Sequence, residues 1–421
     1  MTRTELTGQA RHFTPAVRLR RLLPLLLAAV AAMTAVFNGV QQVLVPTQVE
    51  ALDPADKVGN LALLTTFAAV AALVGLPLGG ALSDRTRSRF GRRTPWIVVL
   101  SGISGVLMIA MSQSAHLLLL GIVYALLWLA ANMYQGALIA ILPDRVPEER
   151  RGVASALVGL GTPVGVLIGV NVASRAGHFW GYAITAVVLV AASLALVLGV
   201  REGSSLAPAT RRERLPAQRR GMRGFFEAFR SRDFTWAFVS RFALFLSYFT
   251  VSGYLYYTLT DYIGKDDVPG GDVGVAVSNL LTLTTVAWVV VATFLGWLAD
   301  RIDRRKLFVG ISALGLAATF CIPVISATWT GMVVYSVFLG IFIGTYFGVD
   351  LAVMSLVLPH HDRVGRDFGL LAVATGLPQI VSGALAGGLL TFFGGYTALY
   401  VFGIVTALIS GITISFVKTV R

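Results

Sequence analysis

Residues 80–95 read GALSDRTRSRFGRRTP, a stretch with five arginines and one aspartate between two long apolar runs. The eleven residues from Asp84 to Thr94 are too few and too charged to cross a bilayer, so we expect a short turn at a membrane surface. Basic residues accumulate in the cytoplasmic loops of membrane proteins. The stretch therefore predicts helices in lipid on both sides of it and marks its own side as cytoplasmic.

Composition points to the same class of protein. Apolar residues make up 56% of the chain and charged residues 13%, against roughly 25% charged residues in a soluble domain, and the mean hydropathy is +0.76. The net charge of +13 lies almost entirely in predicted loops, so we attribute it to membrane orientation and expect no nucleic-acid partner. One cysteine, Cys321, leaves no possibility of an intrachain disulfide or a cysteine metal cluster. We expect an all-α polytopic membrane protein.

Twelve apolar runs have the length of a membrane-spanning helix. The first follows a basic N-terminal segment, as in a signal peptide, but it is about 28 residues long, against roughly 7 to 15 for a signal-peptide core, so we expect it to be retained. The predicted spans are residues 22–49, 59–82, 95–113, 116–142, 153–174, 179–200, 234–260, 273–298, 307–327, 329–357, 367–392 and 395–417.

The spans form two sets of six. We expect an N-terminal tail (1–21), a first six-helix bundle (22–200), a linker with nine arginines (201–233), a second bundle (234–417) and a C-terminal tail (418–421). Of the 34 basic residues, 30 fall in segments assigned to the cytoplasm, three fall outside (Lys57, Arg175 and Lys265) and Arg241 falls within a span. This distribution predicts both termini inside, in the plasma (cytoplasmic) membrane.

The two sets also repeat each other in sequence. Asp300, in GWLADRIDRR at 296–305, lies 216 residues after Asp84, and the pair Leu358-Pro359 lies 216 residues after Leu142-Pro143. A constant offset across several features predicts two homologous halves in parallel orientation.

These motifs carry a resemblance to a known family. Gly-x-x-x-Asp-Arg followed by Gly-Arg-Arg between spans two and three, with a degraded copy between spans eight and nine, resembles the loop motif of the major facilitator superfamily over nearly the whole chain. The long form SDRTRSRFGRRTPWI and the fourth-span stretch NMYQGALIAILPD are similar to those of plant sucrose transporters and glycoside-pentoside-hexuronide:cation symporters. The resemblance implies a twelve-helix transporter that works by alternating access.

Charged residues at the cytoplasmic ends of the spans are candidates for a gate. The carboxylate of Asp84 can pair with a helix end or with an arginine of its own loop and so tie neighbouring helices together. The resemblance implies that this latch holds the outward-open state and is released as the halves rock. The alternative is that the arginines only orient the protein. The gate candidates are Asp84, Arg85, Gly91, Arg92, Arg93, Asp144, Asp300 and Arg301.

Polar residues at helical spacing mark the candidate substrate path. They lie in spans one, four, seven and ten, which line the central cavity in the superfamily that the chain resembles. Hydrogen bonding between helices, or an interfacial position for the aromatic residues, is the open alternative. The candidates are Asn38, Gln41, Gln42, Trp128, Asn132, Gln135, Tyr248, Tyr256 and Tyr346.

Two charges lie inside predicted spans. An unpaired charge at the centre of a membrane helix costs about 2.5–3.5 kcal/mol on insertion scales, so Arg241 and Asp350 are predicted to pair with each other. The alternative is that Arg241 snorkels to the headgroups and Asp350 bonds a neighbouring helix. A paired carboxylate whose pKa depends on the presence of arginine or substrate can couple a proton to transport. The five histidines all lie in or near loops.

The cargo and the ion are inferred from departures from these relatives. Ile139 and Ala137 stand where sucrose transporters carry a sugar-binding arginine and a proline, so we expect a sugar or glycoside other than sucrose. Spans two and four lack the aspartates of the melibiose-type sodium site, which favours a proton over sodium. The fifth-span stretch GLGTPVGVLIG partly matches that of drug–proton antiporters. Efflux of a drug or secondary metabolite therefore stays open, as does close helix packing by these glycines.

Catalytic motifs are missing from the chain. It contains no HExxH, no GxSxG, no P-loop lysine and no cysteine–histidine cluster. We therefore expect no enzyme activity, cofactor or metal, and a monomer in the lipid bilayer whose partners are a small-molecule substrate and a proton. A non-transporting membrane sensor is the third interpretation.

Overall fold

The computed structural model describes residues 19–203, 205–206, 229, 231–302, 305–357, 364–393 and 395–417. Within these ranges the regular structure is entirely helical, without a strand. Most of the predicted tails and of the basic linker lie outside them. Twelve helices are long and apolar enough to cross a membrane, and they match the predicted spans one to one, which confirms an all-α fold with twelve transmembrane helices.

The helices run in the following order along the chain. They are α1 Leu19–Leu52, α2 Lys57–Arg85, α3 Thr94–Ser112, α4 Leu117–Arg145, α5 Arg151–Arg175, α6 His178–Gly199, α7 Arg232–Ser252, α8 Val273–Ile302, α9 Arg305–Ile325, α10 Trp329–Val357, α11 Val364–Phe392 and α12 Tyr396–Ser415.

The two sets of six helices pack in the same pattern. In the first, α1 contacts α5 and α6, α2 contacts α4, and α3 contacts α4 and α6; in the second, α7, α8 and α9 make the corresponding contacts with α10, α11 and α12. Between the halves, α2 packs on α11 and α5 packs on α8. Since α2 corresponds to α8 and α5 to α11, the interface between the halves repeats itself about a pseudo-two-fold axis.

Glycines explain how closely α5 approaches α1. A Cβ atom on Gly161 would lie 2.7 Å from the carbonyl oxygen of Leu27 and 3.1 Å from the amide nitrogen of Ala31. A Cβ atom on Gly39 would lie 2.7 Å from the carbonyl oxygen of Gly169. Lipid supplies no hydrophobic drive for helices to associate, so close backbone packing through small residues takes its place. Packing against α1 therefore accounts for Gly161 and Gly169 of α5.

Replacing Gly161 with Val is expected to lower the melting temperature of the purified protein in detergent. The added side chain meets the backbone of α1, and overpacking of this kind costs about 1–3 kcal/mol. Gly102→Val is the matched control, because a Cβ atom on Gly102 meets nothing within 4 Å. Equal melting temperatures for the two variants would contradict the packing assignment.

The first helix of each half is distorted near the same end of the bundle. Within α1, residues Val40–Leu44 form a π-helical turn directly before Pro46, whose ring clashes with a regular helical backbone and which lacks an N–H donor. After α7, the chain continues through Leu255–Tyr257 into a π-helical segment, Thr258–Gly264. The predicted continuous span 234–260 is therefore interrupted: α7 ends at Ser252, residues 253–254 form a turn, and helical structure resumes at Leu255.

Two ends of the bundle are named by their charged residues. The arginine face carries residues 86–93, between α2 and α3. The lysine face carries residues 53–56, which precede Lys57, and residues 264–272, which include Lys265.

Candidate functional site

The charge inside the bundle is an ion pair between α7 and α10. Arg241 Nη1 donates to Asp350 Oδ1, and its Nε donates to Thr375 Oγ1 of α11 at 3.0 Å. The side chain of Asp350 is 4% exposed and that of Arg241 is 12% exposed. The predicted pairing is thus present in the structure, and Arg241 is held inside the bundle instead of extending to the headgroups.

Aromatic rings surround this pair. The Arg241 guanidinium lies 5.3 Å from the ring centroid of Phe245, a cation–π distance. Tyr346, one helical turn before Asp350, is buried and stands edge-on to Phe245, with the centroids 5.6 Å apart. Low-polarity walls strengthen an electrostatic contact. A change in the charge of Arg241 or Asp350 therefore has a large effect on the electrostatic energy of the pair.

The polar candidates of the first half are amide side chains on α1 and α4. Asn38 and Asn132 each donate only to a carbonyl one turn earlier in their own helix, at 3.0 and 2.9 Å. Gln41, Gln42 and Gln135 are partly exposed and make no hydrogen bond to the described part of the chain. In the structure, none of these five amides bonds a neighbouring helix, so the alternative of interhelical hydrogen bonding does not hold for them.

Trp128 packs among aromatic rings of α1 and α4. Its ring centroid lies 4.5 Å from that of Tyr124 on the same helix and 5.5 Å from that of Phe37 on α1. The side chain is 4% exposed. Packing between α1 and α4 fixes its orientation.

The tyrosines of span seven are separated by the end of α7. Tyr248 lies on α7, beside the ring of Phe249 with the centroids 5.4 Å apart. Tyr256 lies beyond the helix and lines a cavity of about 370 Å³ at the lysine face, together with Lys265 and Asp272. The turn at residues 253–254 separates Tyr256 from α7, so Tyr248 and Tyr256 do not share one continuous helical face.

Arg93 organises the arginine face. The side chain is buried and pairs with Asp84 on α2 and, at 3.1 Å, with Asp144 on α4; it also donates to Ser83. Arg92 reaches the second oxygen of Asp144 at 2.7 Å. The turn between α2 and α3 includes Gly91 with φ of +94°, a backbone conformation that favours glycine. Asp84, Arg92, Arg93 and Asp144 therefore form one cluster that ties α2, the start of α3 and α4 together.

A further carboxylate supports this cluster. Glu202, just after α6, accepts from the backbone amides of Arg93 and Thr94 at 2.9 and 3.0 Å. A negative charge at the start of α3 also suits the helix dipole. Sequence reasoning missed Glu202, although an acidic residue at the head of a basic linker was a signal.

The remaining gate candidates stand apart from this cluster. Arg85, at the end of α2, is exposed. Arg301 is exposed near the end of α8, and the side chain of Asp300 lies outside the described part of the structure. The pairs made by Asp84, Arg92, Arg93 and Asp144 join helices of the first half alone. In the parts of the chain that the structure covers, no group of three or more His, Cys, Asp or Glu residues is arranged to hold a metal ion.

Arg93→Ala is expected to lower the melting temperature of the protein by far more than Arg87→Ala. The loss of Arg93 leaves Asp144, which is 24% exposed, next to Asp84 with only Arg92 as counter-charge. Breaking a fully buried pair costs roughly 3–5 kcal/mol, and partial exposure of both carboxylates reduces this to about 1–2 kcal/mol. Arg87 is exposed and supplies the control. Indistinguishable unfolding curves would show that the arginines only orient the protein.

The two halves meet through polar contacts at the lysine face. Lys57 Nζ lies 2.9 Å from Glu50 Oε1 and 2.6 Å from Asp261 Oδ1. At the other edge, Arg175 donates to Ser278 and Asn279 at 2.9 and 2.8 Å. The halves are therefore closed against each other at this end.

Two tyrosine hydroxyls add to this closure. Tyr257 donates to the carbonyl oxygen of Pro46 at 3.1 Å, and Tyr254 donates to that of Val58 at 3.4 Å. Sequence reasoning treated Lys57, Arg175 and Lys265 only as exceptions to the orientation pattern. The structure places all three in contacts between the halves.

Known proteins give the same fold. The family model described as Major Facilitator Superfamily matches residues 25–277 and 270–420. A crystal structure of a peptide transporter, POT, in complex with sulfate superposes with a TM-score of 0.70 at 13% identity and 94% coverage of each chain. No curated protein matches the sequence. Since the family model covers nearly the whole chain and the helices pack in two matching sets of six, the chain belongs to the Major Facilitator Superfamily.

Proposed function

We propose that this transporter moves a small organic solute, a sugar or a glycoside, by alternating access driven by a proton gradient. The observation that carries the proposal is the Arg241–Asp350 pair, which joins α7 to α10 inside the bundle. Buried ionisable residues within membrane helices mark substrate and proton pathways. The arginine face is then cytoplasmic with both termini inside, and residues 22–200 and 234–417 are the bundles that rock about the site.

The pair suggests how a proton and a solute are coupled. With the site empty, Asp350 is ionised and compensates the charge of Arg241. A solute oxygen that accepts the guanidinium hydrogen bonds removes that compensation, and the carboxylate then binds a proton, since an opposite charge close by is what favours its ionised form. Solute and proton therefore occupy the site together, and they leave together when the solute departs to the cytoplasm.

The chemistry of the opposite wall favours a hydroxylated solute. Gln41, Gln42 and Gln135 each offer an amide donor and acceptor that the described chain leaves without a partner. Neither α2 before Asp84 nor α4 before Asp144 carries a carboxylate, which is why the proposal names a proton instead of sodium.

Reconstitution into liposomes with an internal pH indicator tests the function. Glucose, xylose, melibiose, the aryl glycoside salicin and the cationic dye ethidium are added outside in turn. A sugar or glycoside that acidifies the interior, with no response to ethidium, supports symport. A response to ethidium alone, in the direction of proton exchange, would replace the proposal with efflux antiport. Binding of a sugar without flux of either species would indicate a sensor.

A further inference from the structure

Lys57 stands between two carboxylates from different halves of the molecule. Glu50 belongs to α1, in the same half as Lys57, while Asp261 belongs to the segment that follows α7. The lysine side chain is 13% exposed, against 14% for Glu50 and 32% for Asp261. The ammonium group also lies 5.1 Å from the ring centroid of Tyr257. The lysine is thus held at the contact between the halves with two alternative counter-ions.

Each carboxylate has a different role when the halves separate. The contact with Asp261 must break, because the two residues lie on opposite sides of the interface. The contact with Glu50 survives, because α1 and α2 move with the same half. Asp261 in turn keeps the hydrogen bond that it accepts from Tyr396, at 2.7 Å, within its own half. Neither charge is left without a partner in the open state.

We propose that Lys57 controls the opening of the lysine face. Its ion pair with Asp261 holds the two halves together, and its ion pair with Glu50 compensates the lysine charge when the halves separate. We call these three residues the clasp. Stripping an ammonium group of every counter-ion in a poorly solvated site is costly, and Glu50 removes that cost from the opening step. The two carboxylates therefore act on the equilibrium between closed and open lysine face in opposite directions. This assignment rests on the proposed alternating access, and its readout needs no transported solute.

The distance between two outer loops reports this equilibrium directly. Spin labels are placed at Ala55→Cys and Ala327→Cys in a Cys321→Ser background, since both alanines are exposed in loops of opposite halves at the lysine face. Pulsed electron–electron double resonance between the two labels then gives the fraction of molecules in the longer-distance state. Asp261→Asn is expected to raise that fraction roughly fivefold, because it removes the charge from a charge-assisted bond between the halves.

Glu50→Gln is expected to lower the open fraction roughly threefold, the opposite sign. Glu50 also faces two groups of the second half, Lys265 at 3.3 Å and the hydroxyl of Tyr256, so the comparison is made in a Lys265→Gln, Tyr256→Phe background that has already lost both contacts. Glu50→Ser replaces the Gln variant if the latter does not fold.

An open fraction that rises or stays unchanged on neutralising Glu50 would overturn the clasp, as would no change for Asp261→Asn. The two hypotheses fail separately. Distance shifts of the expected sign without flux of any solute would uphold the clasp and refute the proposed function. Proton-coupled flux with unshifted distances would uphold the proposed function and refute the clasp.

Discussion

Asp350→Asn is expected to abolish accumulation of solute driven by a pH difference, while exchange of labelled for unlabelled solute across the membrane continues. Asn matches the shape of Asp and still offers Arg241 a hydrogen-bond acceptor. Its side-chain amide does not take up a proton near neutral pH, however. Alternating access with bound solute then remains possible and coupling does not. We expect uphill uptake in proteoliposomes to fall to the equilibrium level.

The control for this variant is Asp56→Asn. Asp56 is exposed in the loop between α1 and α2, and its neutralisation changes the net charge by the same amount. Undiminished uphill uptake by Asp350→Asn would exclude Asp350 as the coupling residue. Loss of both uptake and exchange would assign it a role in binding the solute and not the proton.

Arg241→Gln is expected to destabilise the protein and to stop transport. The substitution leaves Asp350, whose side chain is 4% exposed, without its counter-charge, and removing one partner of a buried pair costs about 3–5 kcal/mol. The melting temperature in detergent should fall accordingly. Adding Asp350→Asn removes the stranded carboxylate, so the double variant should recover most of the melting temperature and none of the coupled transport.

This double-variant comparison separates the structural role of the pair from its role in coupling. Melting temperatures that fall additively would mean that the two side chains do not interact. Proton-driven uptake by the double variant would place the coupling elsewhere in the molecule.

The twelve helices were predictable because a chain that crosses lipid must satisfy its backbone polar groups within a helix. Each such helix shows in the sequence as a long apolar run. The Arg241–Asp350 pair was predictable for a related reason, since two isolated charges in apolar helices at similar depth require a partner. The break after Ser252, which separates Tyr256 from α7, was not predicted, because apolar residues continue through it in the sequence.

The clasp at the lysine face could not be foreseen. Lys57 and Asp261 are 204 residues apart, and each is an ordinary loop charge when taken alone. Gln48 is a similar case: it is buried and bonds the carbonyl of Met111 at 2.8 Å and the hydroxyl of Tyr182 at 2.9 Å. Partners of this kind become visible only when the helices are assembled, because nothing in the spacing of the residues links them.

The internal pH of proteoliposomes on addition of a transported solute, with no pH difference imposed beforehand, tests the central claim most directly. We predict that entry of the solute acidifies the interior through the wild-type protein and leaves the internal pH unchanged through Asp350→Asn, although exchange shows that the variant still moves the solute. Uptake by the wild-type protein without acidification, or equal acidification through the variant, would contradict the account.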